Sequence, residues 1–221
     1  MVIKMLPLTS VTTVCTEKQF AKIVEETPKL RYIPYIYVTN KLKRNEKCAF
    51  STTGILPPKC IAVIPHDEDI NIGYMLFLLN SYPTQYEMFG HKINVLTHVT
   101  LNKKKLSSLN IPIIDKEEQR YYNVARLLKD KAEDLMNNPN TDKHMKELSL
   151  GLFSNLCDSL AIELYYEEYL KKNGIEIFKY WKENVDENWD CNNIEKFFHS
   201  LVDQSSELRN QLMKLRMIPT D

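Results

Sequence analysis

Seven cations stand in two short runs of the sequence. NKLKRNEK (40–47) holds Lys41, Lys43, Arg44 and Lys47, and NKKK (102–105) holds Lys103, Lys104 and Lys105. On inter-element loops, such side chains reach phosphate oxygens and release condensed counterions, while planar arginine or amide groups read base edges. The same lysines would also serve merely to keep a surface soluble. Two acidic runs, HDEDI (66–70) and VDENWD (185–190), offer carboxylates for a metal. Neither belongs to an Asp…Glu-x-Lys arrangement of the kind a metal-dependent nuclease uses, and both read as solvated loops or helix caps.

Other chemistries find little support in the letters. The five glycines, at 54, 73, 90, 151 and 174, never fall in the spacing of a phosphate-binding loop. GxSxG and HExxH are absent, and NNPN (137–140) lacks the second proline and the aromatic of an amino-methyltransferase motif. Cys15, Cys48, Cys60, Cys157 and Cys191 form no CxxC, and the five histidines are scattered. The expectation is a chain with reduced, packing thiols, no metal, no cofactor and no catalytic centre.

The elements that must carry the cations change character midway. Residues 1–113 hold 14 Lys+Arg against 8 Asp+Glu, net +6; the totals of 29 and 29 leave 15 against 21 in 114–221, net −6. A basic half facing a polyanion and an acidic half facing protein or solvent is the reading. LRYIPYIYVT (30–39), CIAVIP (60–65), INVLTHVT (93–100) and LNIPII (109–114) read as strands, the first an edge strand because Pro34 lacks a donor. DINIGYMLFLLNS (69–81) reads as a short buried helix capped by Asp69 or Asn71. From Asp115 the text turns helical. Asp115 and Glu118 have capping-box spacing ahead of an amphipathic helix over about 115–136. A second helix is expected over about 142–172, started by Thr141 or Asp142, with an apolar side running from Met145 and Leu148 to Leu164 and Tyr165. A third is expected over about 192–215. The predicted class is α+β: a mixed α/β or mainly β domain over 1–114, then long helices over 115–221 forming a bundle or a coiled-coil arm. No apolar run spans a membrane and the N-terminus lacks a signal-peptide core, so a cytoplasmic setting without membrane contact is expected.

Two stretches in this order carry a family likeness. Tyr74, Leu76, Leu78, Leu79, Asn80 and Ser81, followed by Leu106, Leu109, Ile111, Pro112, Ile113, Glu118 and Gln119, resemble the LLNS helix and the IPIP…EQ approach to the conserved helix in a known family. That family comprises the target recognition domains of type I restriction–modification specificity subunits and of related fused restriction–methyltransferase enzymes. The resemblance covers roughly 50–135. It departs at Ile114, where the family often has a second proline, and in the turn glycines that are missing here.

The resemblance implies a DNA specificity module whose helical spacer docks a methyltransferase subunit, with double-stranded DNA as the other partner. A half-length chain would pair with a second copy of itself, or serve as the recognition part of a larger enzyme. The expected phosphate contacts are Lys41, Lys43, Arg44, Lys47, Lys103, Lys104 and Lys105. Thr52, Thr53, Gln85 and Tyr86 are candidates for base-edge or backbone contacts, or for ordinary strand and turn packing. The competing reading is a helical protein–protein scaffold or adaptor that binds no DNA.

Overall fold

Val14, Val63 and Ile36 lie side by side on three neighbouring strands, and this row shows how the first half is built. The computed structural model describes residues 3–29, 34–39, 48–66, 70–89, 102–136, 142–185 and 194–218. Within them, β2 (Thr12–Thr16), β5 (Ile61–Pro65), β3 (Tyr35–Val38) and β4 (Cys48–Ser51) form an antiparallel sheet in the order β2-β5-β3-β4. Alternate residues point to opposite faces. Cys15, Tyr35, Ala62 and Ile64 join Phe20 and Val24 of α2 (Glu17–Glu26) in one core layer. On the sheet, α3 (Ile72–Asn80) contacts β3 and β4. Central β5 is buried at each of Ile61, Ala62, Val63 and Ile64, which explains why it reads as an unbroken apolar run. The helix α3 is buried from Gly73 to Leu79, as its apolar residues all round require.

Polar groups close this layer. Asn71 caps α3 by accepting from Gly73 N and Tyr74 N. At its other end, the Asn80 carboxamide accepts from Cys48 N and donates to Cys48 O, both at 2.9 Å, serving the first residue of β4 as a strand neighbour would. A separate two-stranded ribbon pairs β1 (Lys4–Pro7) with β6 (Asn110–Ile113), joining residues a hundred positions apart. The short helices α1 (Leu8–Val11), α4 (Tyr82–Phe89) and α5 (Lys103–Ser107) complete the first half.

Pro34 does not mark an edge strand. β3 lies between β5 and β4, and Pro34 precedes its first residue, so the missing N–H removes no rung of the ladder. INVLTHVT (93–100) and Asp69 lie outside the described residues.

The chain resolves into two compact units, Met1–Gln119 and Arg120–Asp221, dividing within α6 (Lys116–Met136). The second unit is helical. After α6 come α7 (Lys143–Lys172), α8 (Ile177–Asn184), α9 (Ile194–Val202) and α10 (Glu207–Arg216). Asp142 caps α7 through a bond from Met145 N at 3.0 Å, and Gly174, with φ +70°, follows its C-terminus. The core gathers Tyr122, Phe153, Leu160, Trp181, Phe197 and Leu208. Tyr122 stacks on Phe178 at 4.9 Å, and the Trp181 indole donates to the Tyr121 carbonyl at 2.9 Å. Burial pushes the Glu163 carboxyl up to about 7, and its oxygen accepts from Phe178 N at 2.6 Å, capping α8 from another helix.

Two helical expectations need correction. The stretch 192–215 is two helices, because the Asp203 carboxylate accepts from Ser205 N and Ser205 Oγ and turns the chain between them. Met145 and Leu148 of α7 are exposed rather than buried; the buried apolar residues begin at Phe153. The class is α+β.

Candidate nucleic-acid interface

Lys103, Lys104 and Lys105 are not on a loop. They form the first turn of α5, started by Asn102, whose side chain accepts from Lys104 N at 2.9 Å and Lys105 N at 3.4 Å. The helix is held down by Leu106, which is fully buried, and packs against β2 and α1. Lys103 is only half-exposed, and its Nζ donates to Gln19 Oε1 of α2 at 2.6 Å. That oxygen also accepts from Thr16 N in the α2 capping box. Lys103 therefore ties α5 to α2, while Lys104 and Lys105 extend into solvent. Beneath them burial pushes the Cys15 thiol up to about 11 against the opposing pull of Lys103. It is a packed thiol rather than a nucleophile.

Thr52 and Thr53 are exposed in the turn after β4. The Thr53 hydroxyl is spent locally, on Ser51 Oγ at 3.1 Å and Ile55 N at 3.4 Å, around Gly54 with its φ of +65°. Thr53 also lines a groove with Glu17, Ala21 and Glu25 of α2. At 100° per residue these lie on a different flank of α2 from Gln19. Thr53 is thus separated from Lys103 by α2, whose Glu17 and Glu25 line the same groove.

Gln85 is a correction among the candidate contacts. It is 3% exposed, and its amide nitrogen donates to the Asn80 carbonyl at 3.1 Å, joining α3 to α4. Its neighbour Tyr86 is exposed and lies 6.0 Å, ring to ring, from exposed Tyr82 one turn earlier. Tyr82 escaped sequence reasoning, although its four-residue spacing from Tyr86 becomes a signal once a helix is recognised there. Lys41, Lys43, Arg44 and Lys47 lie outside the described residues.

The residues carrying the family likeness are brought together. Tyr74 Oη donates to the Pro112 carbonyl at 2.9 Å, pinning α3 to β6. Gln119 is buried in the first turn of α6. Its oxygen accepts from Asn71 N and its nitrogen donates to Ile114 O. Asn80, Tyr74, Pro112 and Gln119 thereby fasten α3 to β4, β6 and the start of α6.

Among the described residues, no group of three His, Cys, Asp or Glu is placed to hold a metal ion, and no helix is long and apolar enough to cross a membrane. No family model matches the chain, nor does any curated protein or solved structure.

Proposed function

We propose that the chain is a non-catalytic DNA sequence-recognition module of a restriction–modification or adenine methyltransferase system, working in the cytoplasm. The observation that carries this reading is the fastening of β6 to α6. The residues of the likeness, Tyr74, Pro112 and Gln119, are those whose hydrogen bonds hold the strand-to-helix passage. A passage fastened in this way gives the first turn of the spacer helix a fixed start on the recognition unit. The 21 residues of α6 give it a length of about 30 Å, near one duplex turn. Lys104 and Lys105 would contact phosphate, and Tyr86, with Tyr82 beside it, would contact base edges or backbone.

On this reading the chain supplies specificity, and a separate methyltransferase subunit supplies the S-adenosylmethionine chemistry. The reading is tested by measuring duplex DNA affinity against salt, with the chain alone and with a candidate methyltransferase subunit. A recognition module gives a negative log–log slope of roughly 0.9 per phosphate contacted. Undetectable affinity at low salt in both settings would overturn it in favour of a protein–protein scaffold.

A further inference from the structure

The helix α7 sends Phe153, Leu156, Leu160 and Leu164 into the core of the second unit, but an adjoining row stays open. Met145 and Leu148, 44% and 39% exposed, precede Leu152 by seven and four residues and share its helical face. Leu152 lines an open groove of about 270 Å³, with Leu201 of α9 and Leu212 and Met213 of α10. Met217, four residues beyond Met213 and 76% exposed, continues the apolar row past the groove. Methionine suits such a surface because its flexible thioether adapts to a partner's shape.

The groove also carries charge of one sign. Arg209 and Arg216 line it, seven residues and hence about 10.5 Å apart along α10. Among the described residues, no carboxylate comes within ion-pair distance of either. Two nearby carboxylates of the described residues are engaged elsewhere. Asp203 acts on Arg209 from a distance, but it is held by the Ser205 backbone and hydroxyl. Glu207 is engaged by Lys214, Asn210 and Gln211.

Shape and charge together select the occupant. The groove is open rather than enclosing, so it suits anchor side chains of something larger than a small ligand. An apolar trough flanked by open rows on two helices is the surface on which an amphipathic helix lies. Its unpaired arginines call for carboxylates one heptad apart. A second copy pairing through this same face would meet two further arginines. Nucleic acid would gain two cations but would lie over an apolar floor.

We infer that the groove between α7, α9 and α10 docks an acidic amphipathic helix of another protein, apolar side chains entering beside Leu152 and Met213 and carboxylates meeting Arg209 and Arg216. This surface belongs to the second unit alone and does not depend on DNA binding by the first.

The test uses the full chain and a fluorescein-labelled designed peptide of roughly 18 residues, with leucines at i, i+3, i+4 and i+7 flanked by glutamates. A counterpart carries lysines in place of the glutamates. Fluorescence anisotropy should show saturable binding of the glutamate peptide at least about tenfold tighter than the lysine peptide. It should weaken by about tenfold or more in Arg209→Glu/Arg216→Glu, checked for folding by circular dichroism, and in the milder Arg209→Gln/Arg216→Gln. Equal binding of the two peptides, or undiminished binding by both variants, overturns the inference. So does a sedimenting dimer that Met213→Glu/Met217→Glu dissociates, which gives the face to a second copy. Displacement of the peptide by a short DNA duplex would give it to nucleic acid.

Discussion

Gln119 and Asn71 join the starts of two helices. The Gln119 side-chain oxygen accepts from the Asn71 backbone nitrogen at 2.7 Å, while the Asn71 side chain caps α3. The opposite end of the same carboxamide donates to the Ile114 carbonyl at 3.0 Å, so one side chain holds α3, the end of β6 and the first turn of α6. Gln119→Ala would leave a half-buried backbone donor and a buried backbone acceptor without this partner, a loss of about 1–3 kcal/mol. Hydrogen exchange of the α3 and β6 amides should accelerate accordingly. Exchange within a factor of about 2 of the parent, worth roughly 0.4 kcal/mol, would show that Gln119 is not the fastener.

Glu163 makes the second unit sensitive to pH. Burial raises its folded value to about 7 from the ordinary 4.5, against the opposing effect of the Phe178 N–H bond. The folded state therefore holds the proton more tightly than the unfolded chain. The resulting stabilisation is full below about 4.5, declines as pH rises to about 7, and is absent above it. The swing is on the order of 3 kcal/mol. Glu163→Gln keeps an acceptor for Phe178 N and should be the more stable form at pH 8, with the difference shrinking to nothing near pH 4. Urea unfolding followed by tryptophan fluorescence reads this, since Trp181 lies in that core. Parallel pH profiles for parent and variant would contradict it.

The two glycines of α7 and its end should respond in opposite directions. Gly151 is exposed within the helix and an added Cβ meets nothing within 4 Å, so Gly151→Ala should stabilise by about 0.5–1 kcal/mol. Gly174 also has open space, but its φ of +70° strains any side chain, and Gly174→Ala should destabilise by about 1 kcal/mol. Thermal melts of the pair check the signs.

On the proposed DNA-recognition reading, the three lysines of α5 should not be equivalent. Lys104→Ala and Lys105→Ala should each flatten the salt dependence by about 0.9. Lys103→Ala should flatten it less and loosen α5, because its ammonium is held by Gln19. Equal slopes for all three variants would mean that the Lys103–Gln19 bond is given up in the complex.

What the letters determine here is local. The helix starts are narrowed to Asp69 or Asn71 and to Thr141 or Asp142, and CIAVIP announces a strand, because capping and short apolar runs act over a few residues. Asp203 carried the same kind of local signal and was hidden only by the leucine spacing running through it. The remainder depends on partners far along the chain. Lys4–Pro7 becomes a strand by meeting Asn110–Ile113, and Pro34 is harmless or disruptive according to where β3 begins and what flanks it. The same holds for the candidate site. Seven cations are legible as charge, but only the fold commits Lys103 to Gln19, buries Gln85 under Asn80, and leaves Arg209 and Arg216 open beside an apolar groove. Charge and periodicity are properties of the chain, whereas burial and pairing are set by which segments fold against one another.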